Sequence, residues 1–215
     1  MLIPGNISLF EGIKSEELPA LLACLSVSSQ NFARGDIIIH EGQKIDSIGI
    51  VLSGSIQIFR NDHEGNRNIQ ANFGMGAVFA ESFVCAGISL SPVSVLATET
   101  SLIIFLPFLR IMRPCASSCS YHQKLIENMM RLIARKNQVL NERLEILEGR
   151  SIRNRLLILL EQEEKKQNST TVNLPWNRTE LADFLCTDRS ALSREVSKMK
   201  SEGVITEKGS TFTLH

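Results

Sequence analysis

The chain has 215 residues, and its 23 Lys plus Arg are matched by 23 Asp plus Glu, so the formal net charge is zero. Apolar residues make up 43% and charged residues 21%, which excludes disordered, collagen-like and coiled-coil-only chains. Zero net charge argues against a lone basic nucleic-acid-binding domain unless the charges are unevenly spread.

They are unevenly spread. Residues 1–112 carry 6 basic and 10 acidic side chains, giving −4; residues 113–149 carry 6 and 4, giving +2; residues 150–215 carry 11 and 9, also +2. No run approaches the roughly 18 apolar residues that cross a bilayer, since the stretch from Ser101 to Phe108 is short and contains Pro107. The first residues, Met1 to Glu11, lack the basic start and long apolar core of a secretory signal, so a cytoplasmic location is expected. Five scattered cysteines (Cys24, Cys85, Cys115, Cys119, Cys186) fit free thiols in a reducing compartment.

In chain order, Lys14 to Leu25 reads as a short helix. Short β-branched runs separated by glycines follow: Asp36 to His40, Ile48 to Leu52, Ser55 to Arg60, Val93 to Ala97 and Ser101 to Leu106. In Ser55 to Arg60 the alternation places Ile56 and Ile58 on one face and Gln57 on the other. Asn61 to Asn66 then reads as a hairpin turn. Residues 1–112 are therefore expected to form an antiparallel β sandwich or roll within an α+β chain.

From Pro114 to Glu148 there is no glycine, and long helix-forming side chains dominate until Gly149. Ile126, Met130, Ile133, Asn137, Leu140, Leu144 and Leu147 are spaced alternately four and three residues apart. That is a heptad seam with Met130, Asn137 and Leu144 at a and the others at d, and a lone Asn at a sets the register of a parallel pair. Residues 113–149 thus read as a dimerisation helix and hinge. The alternative is packing of this helix on its own domain.

Residues 150–215 show a third pattern. Ser151 caps a helix carrying Ile152, Leu156, Leu157 and Leu160, which ends in the polar stretch Glu161 to Thr171. Asn177 with Glu180 forms a capping pair for a helix from Arg178 to Leu185, and Thr187 caps another from Asp188 to about Glu202. Strand, turn and strand follow from Gly203 to Leu214, which completes a winged helix-turn-helix. Leu181, Ala182, Leu185, Leu192, Val196 and Met199 are assigned to its interior. Arg189, Ser190, Ser193, Arg194 and Ser197 then point outward, where a recognition helix meets base edges and Arg can pair with guanine; Thr187 and Lys198 flank them. Cys186 stands in the turn between the helices, where a positive φ would favour Gly.

The run LADFLCTDRSALSREVSKMKSEGVI, with FARGDIIIHEG, SGSIQIF and the intervening long helix, resembles the Crp/Fnr family of transcription regulators over nearly the whole chain. The resemblance implies a cyclic-nucleotide-binding-like β roll, a dimerising helix and a winged helix that binds a two-fold symmetric double-stranded DNA operator. It also implies RNA polymerase as a further partner and no catalytic activity. Arg189, Ser190 and Arg194 fall where family members read bases, although many carry Glu where Ser190 stands. Members that bind cyclic AMP have Gly-Glu followed by Arg-Ser in the corresponding loop. Here Glu81 is kept, but Ala80 replaces Gly and Ser91-Pro92 replaces Arg-Ser, which removes the cation for the cyclic phosphate. A different small-molecule effector is expected, in a pocket formed by Phe73, Gly76, Phe79, Ala80, Glu81, Ser82, Ser91 and Pro92, with Phe83 beside it.

The rival reading is a redox or metal sensor. Cys115, Cys119 and His122 lie on one face of the predicted long helix, near its start, where thiol pKa values are lowered. A further class is a scaffold or enzyme with a degenerate DNA-binding domain, although no glycine-rich phosphate loop or nucleophile elbow is present. The cofactor, if any, is not specified by the sequence.

Overall fold

The computed structural model describes residues 7–62, 64–113 and 120–215. His63 and the sequence-predicted Pro114, Cys115 and Cys119 lie outside the described residues. The chain divides into two compact units, Met1–Ala134 and Arg135–His215.

In the first unit a 3₁₀ turn (Ser8–Phe10) precedes α1 (Leu18–Cys24). This helix is shorter than the predicted Lys14 to Leu25, because the chain turns at Lys14–Glu17, with the Glu17 carboxylate accepting the Lys14 amide. Eight strands follow: β1 (Ser28–Phe32), β2 (Ile37–Ile39), β3 (Ser47–Ser53), β4 (Ile56–Asn61), β5 (Arg67–Phe73), β6 (Val78–Phe79), and, after the short α2 (Glu81–Cys85), β7 (Ser94–Ala97) and β8 (Ser101–Pro107). They form two antiparallel four-stranded sheets, in the orders β1-β8-β3-β6 and β2-β7-β4-β5. α3 (Phe108–Met112) follows β8.

The continuous apolar run of β3 is explained by burial on both faces. Ile48, Ile50 and Leu52 join Leu21, Leu25, Leu125 and Met129 in a core on the outer side of their sheet, while Val51 joins Ile56, Phe79, Val95 and Ile103 between the two sheets. On the same face as Val51, Gly49 faces the Phe79 ring, where a Cβ would meet ring carbon at 2.1 Å. Gly54 makes the turn into β4 at φ +82°, and a Cβ there would meet the Thr100 carbonyl at 2.5 Å.

β4 departs from simple alternation. Ile56 and the half-buried Ile58 pack in the same inter-sheet cluster, and after a bulge between Ile58 and Phe59 the buried Phe59 ring lies under the Arg67 guanidinium at 4.1 Å. The expected hairpin turn after β4 is held by Asp62, whose carboxylate accepts the amides of Glu64 and Asn66 at 2.9 and 2.8 Å. Strands β1, β5 and β6 lie outside the β-branched runs of the sequence; the first two are largely exposed and polar, so hydrophobic periodicity does not mark them.

α4 (Ser120–Glu148) ends at Gly149 as predicted. Near its start Asn128 is buried and donates to the carbonyls of Leu9 and Glu11, which fastens the N-terminal segment to the helix. The second unit contains the rest of α4 together with α5 (Ile152–Gln167), β9 (Thr171–Asn173), α6 (Arg178–Phe184), α7 (Arg189–Ser201), β10 (Ile205–Lys208) and β11 (Thr211–Leu214). Ser151 caps α5 by accepting the Asn154 amide. Instead of running on to Thr171, the polar stretch after Glu161 is helix to Gln167, and Thr171 opens β9. β9 pairs with β11, so the β10–β11 wing hairpin is extended to a three-stranded sheet with β11 at its centre.

Candidate nucleic-acid interface

α6 opens with a complete capping box: the Asn177 side chain accepts the amides of Thr179 and Glu180, and the Glu180 carboxylate accepts the Asn177 amide. α7 is capped by position at Asp188, one residue beyond the predicted Thr187, because Thr187 still belongs to the turn, donating its amide to the Ala182 carbonyl. The six residues assigned to the interior, Leu181, Ala182, Leu185, Leu192, Val196 and Met199, are all buried in one cluster with Leu156, Leu160, Ile205 and Phe212.

Burying that face leaves the other one outward. Arg189, Ser190, Arg194, Ser197 and Lys198 are exposed, and Thr187 and Ser193 are half-buried. The Ser197 hydroxyl donates to the Ser193 carbonyl, so it is left to act toward a partner chiefly as an acceptor. Arg189 and Arg194 supply cationic forks at the first two turns of the helix.

Three arginines not singled out from sequence support this face from behind. Arg178 forms an ion pair with Glu207 of β10, and Lys200 approaches the same carboxylate at 3.4 Å. Burial, and then the neighbouring charge of Arg189, hold Arg178 below the usual arginine range. Arg155 holds the inter-helix turn, donating to the carbonyls of Leu185 at 3.0 Å and Cys186 at 3.3 Å and also to that of Gly149 at 2.9 Å. That turn requires support because Cys186 is at φ +50°, the left-handed region disfavoured for a residue with a Cβ. Arg143 of α4 lies 3.8 Å over the Phe184 ring, which itself stacks on Trp176 with centroids 4.1 Å apart. A cavity of about 540 Å³ between the start of α6 and the wing is lined by Trp176, Arg178, Glu207 and Phe212. Sequence periodicity does not single out these groups, because their roles depend on partners far along the chain.

In the β roll, Phe73, Phe79, Ala80 and Phe83 belong to one cluster, and Glu81 beside them is only 3% exposed. Ala80 is at φ +63°, so the backbone keeps a glycine-like conformation although the residue is Ala. Gly76, also at positive φ, donates its amide to the Val51 carbonyl, and Ser82 is exposed one residue beyond Glu81. Burial, then the Glu81 charge, pushes the Cys85 thiol pKa up, which disfavours thiolate chemistry. The buried Ser91 hydroxyl donates to the Val93 carbonyl at 2.7 Å, and its backbone is tied to Gly42 and Gln43. Pro92 is half-buried beside it.

Along α4 the seam residues divide by exposure. Met130 is 68% exposed, Leu140 63% and Leu144 56%; Asn137 is also exposed, and Ile126, Ile133 and Leu147 are half-buried. Of the predicted cysteine and histidine trio only His122 lies within the described residues. It is buried, with Nε2 at 3.2 Å from the Arg110 carbonyl oxygen. Among the described residues no group of three or more His, Cys, Asp or Glu gathers as a metal site, and no helix is long and apolar enough to cross a membrane.

Comparison with known proteins matches this architecture. Residues 29–116 match the cyclic nucleotide-binding domain family, and residues 154–215 match the Crp-like helix-turn-helix domain family. No curated protein sequence matches. Among solved structures, the catabolite activator protein of Thermus thermophilus is 21% identical, covers 97% of this chain and 93% of its own, and superposes with a TM-score of 0.56. CLP of Xanthomonas campestris, described as a c-di-GMP-responsive global regulator, is 15% identical with 94% and 99% coverage and a TM-score of 0.56. DNR of Pseudomonas aeruginosa is 20% identical with 98% and 91% coverage and a TM-score of 0.50. With both its sensor-type and DNA-binding-type domains matched in order along the chain, the protein belongs to the Crp/Fnr family of transcription regulators.

Proposed function

We propose that this chain is a homodimeric, sequence-specific DNA-binding regulator, acting in the cytoplasm by binding rather than catalysis, whose β roll responds to a small effector other than cyclic AMP. The observation that carries the DNA-reading half is the division of α7: Leu192, Val196 and Met199 are buried while Arg189, Ser190 and Arg194 are exposed at its N-terminal turns. That is the arrangement needed to insert a helix into the major groove. Base contacts are assigned to Arg189, Ser190 and Arg194, and backbone or flanking contacts to Thr187, Ser193, Ser197 and Lys198.

The exposed Met130, Leu140 and Leu144 support pairing of two α4 helices. Pairing would set two recognition helices about 34 Å apart, one DNA turn. The effector pocket is assigned to Phe73, Gly76, Phe79, Ala80, Glu81, Ser82, Ser91 and Pro92. The buried Glu81 carboxylate, with Ser91 and Pro92 in place of an Arg-Ser pair, disfavours a cyclic phosphate and suits an uncharged or cationic ligand. Effector binding would shift the population of Gly149-hinge conformations and thereby the spacing of the two helices. At a promoter RNA polymerase would be the further partner.

The test is a duplex selected by the protein from a randomised pool, followed by gel shift with Arg189→Ala/Arg194→Ala. Specific binding should be lost and the salt dependence should become shallower. Unchanged binding would indicate a scaffold with a degenerate DNA-binding domain. Mass spectrometry of natively purified protein tests the effector assignment, and a bound cyclic nucleotide would overturn it.

A further inference from the structure

The recognition helix has an electrostatic liability on its own surface. Besides Arg189, Arg194, Lys198 and Lys200, α7 carries Glu195, and Glu202 stands at its C-cap. These carboxylates are seven residues apart, which is two helical turns, so they lie along one side of the helix about 10 Å from each other. Left unpaired, either would repel any DNA phosphate within the screening length of about 8 Å at physiological salt.

One side chain from another helix reaches both. Arg153, the second residue of α5, donates from Nε to Glu195 Oε1 at 2.7 Å and from Nη2 to Glu202 Oε2 at 2.5 Å. Its side chain is 29% exposed and that of Glu195 25%, so the pair is partly shielded from water. The hydrogen bonds to Glu195 and then Glu202 also hold the guanidinium above the usual arginine range. A planar fork is suited to this task; an ammonium is a point donor. Because the two carboxylates lie two turns apart along the helix, the clasp also opposes rotation of α7 about its axis relative to α5.

Resting on the proposed DNA-reading role of α7, we propose that Arg153 is a positioning and charge-masking residue for that reading, neutralising Glu195 and Glu202 and fixing the rotation that presents Arg189 and Arg194. The masking distinguishes this role from that of an ordinary structural strut. If Arg153 is removed, two uncompensated carboxylates remain beside the DNA. If the carboxylates are removed as well, most of the penalty disappears.

The experiment uses the full-length protein and the duplex selected by the wild type, with anisotropy titrations at several salt concentrations. Arg153→Met should weaken specific binding by about tenfold, most strongly at low salt, and Arg153→Lys should recover only part of it. Glu195→Gln/Glu202→Gln should stay within about threefold of wild type, and the triple variant should return to that level. Thermal unfolding and fluorescence of the single Trp176 report on folding; the triple variant keeps the test open even if Arg153→Met fails to fold. A triple variant as weak as Arg153→Met, or an Arg153→Met protein that binds like wild type, overturns the proposal. The control Arg189→Ala/Arg194→Ala separates the two readings: if it binds normally, the DNA-reading role itself fails, whatever Arg153 does.

Discussion

Replacing Leu140 by Ala tests the dimer seam at a position where the chain alone gives the residue little to do. Leu140 is 63% exposed in a single chain. Full burial of a Leu side chain is worth about 1.5–3 kcal/mol, so covering the exposed part in a dimer contributes about 1–2 kcal/mol per chain. Two-fold symmetry doubles this to about 2–4 kcal/mol, which raises the dimer dissociation constant by roughly 30- to 1,000-fold at about 1.4 kcal/mol per decade. The isolated chain should lose less than about 0.5 kcal/mol, because an exposed side chain leaves no cavity behind. Sedimentation equilibrium across a dilution series measures the first quantity and urea unfolding of the monomer the second. Val139 provides the control: it is equally exposed at 63% but lies off the seam, so Val139→Ala should leave the dissociation constant unchanged. The reasoning fails if Leu140→Ala dimerises like wild type, or if Val139→Ala weakens the dimer as much.

Gly49→Ala should destabilise the β roll by about 3 kcal/mol in chemical unfolding, since its Cβ would overlap the buried Phe79 ring. Cys186→Gly should stabilise the second unit by about 1 kcal/mol and Cys186→Val should destabilise it by at least as much, because the turn sits at φ +50°; DNA affinity of the Gly variant should be unchanged. Asp62 has its carboxyl held below the ordinary range, first by the Asn66 side chain and then by the Asn66 amide. A depressed folded-state pKa adds stability that is complete above the unfolded value of about 3.9 and disappears as pH falls through the lower folded value. Amide exchange at Glu64 and Asn66 should therefore accelerate in that acid window, and Asp62→Asn should remove the dependence.

Several features could be read from the residues alone because local physics governs them. The capping box at Asn177, the stop at Gly149 and the buried face of the helix pair follow from side-chain chemistry and from periodicity along one element. The boundary between an acidic N-terminal part and a mildly basic C-terminal part is likewise a property of composition. Together with the short β-branched runs separated by glycines, these features specify a β roll, a long helix and a winged helix-turn-helix.

Other features required the tertiary structure. Strands β1, β5 and β9 are short or exposed and exist because a partner strand supplies their hydrogen bonds, so their sequences carry little sign of pairing. The bulge between Ile58 and Phe59 comes after the predicted alternation, and the burial of Phe59 that accompanies it is not marked in the sequence. Gly49 stands inside the strand run Ile48 to Leu52, and the reason it lacks a side chain is visible only once the Phe79 ring is seen against it. The same holds for charge. The near-neutral tally of the last 66 residues counts Glu195, Glu202 and Glu207 as acids facing solvent, whereas folding joins them to Arg153, Arg178 and Lys200. Composition fixes how many charges the chain has, but only packing across distant segments decides which of them are paired and which, as on Arg189, Arg194 and Lys198, stay exposed on the outer face of α7.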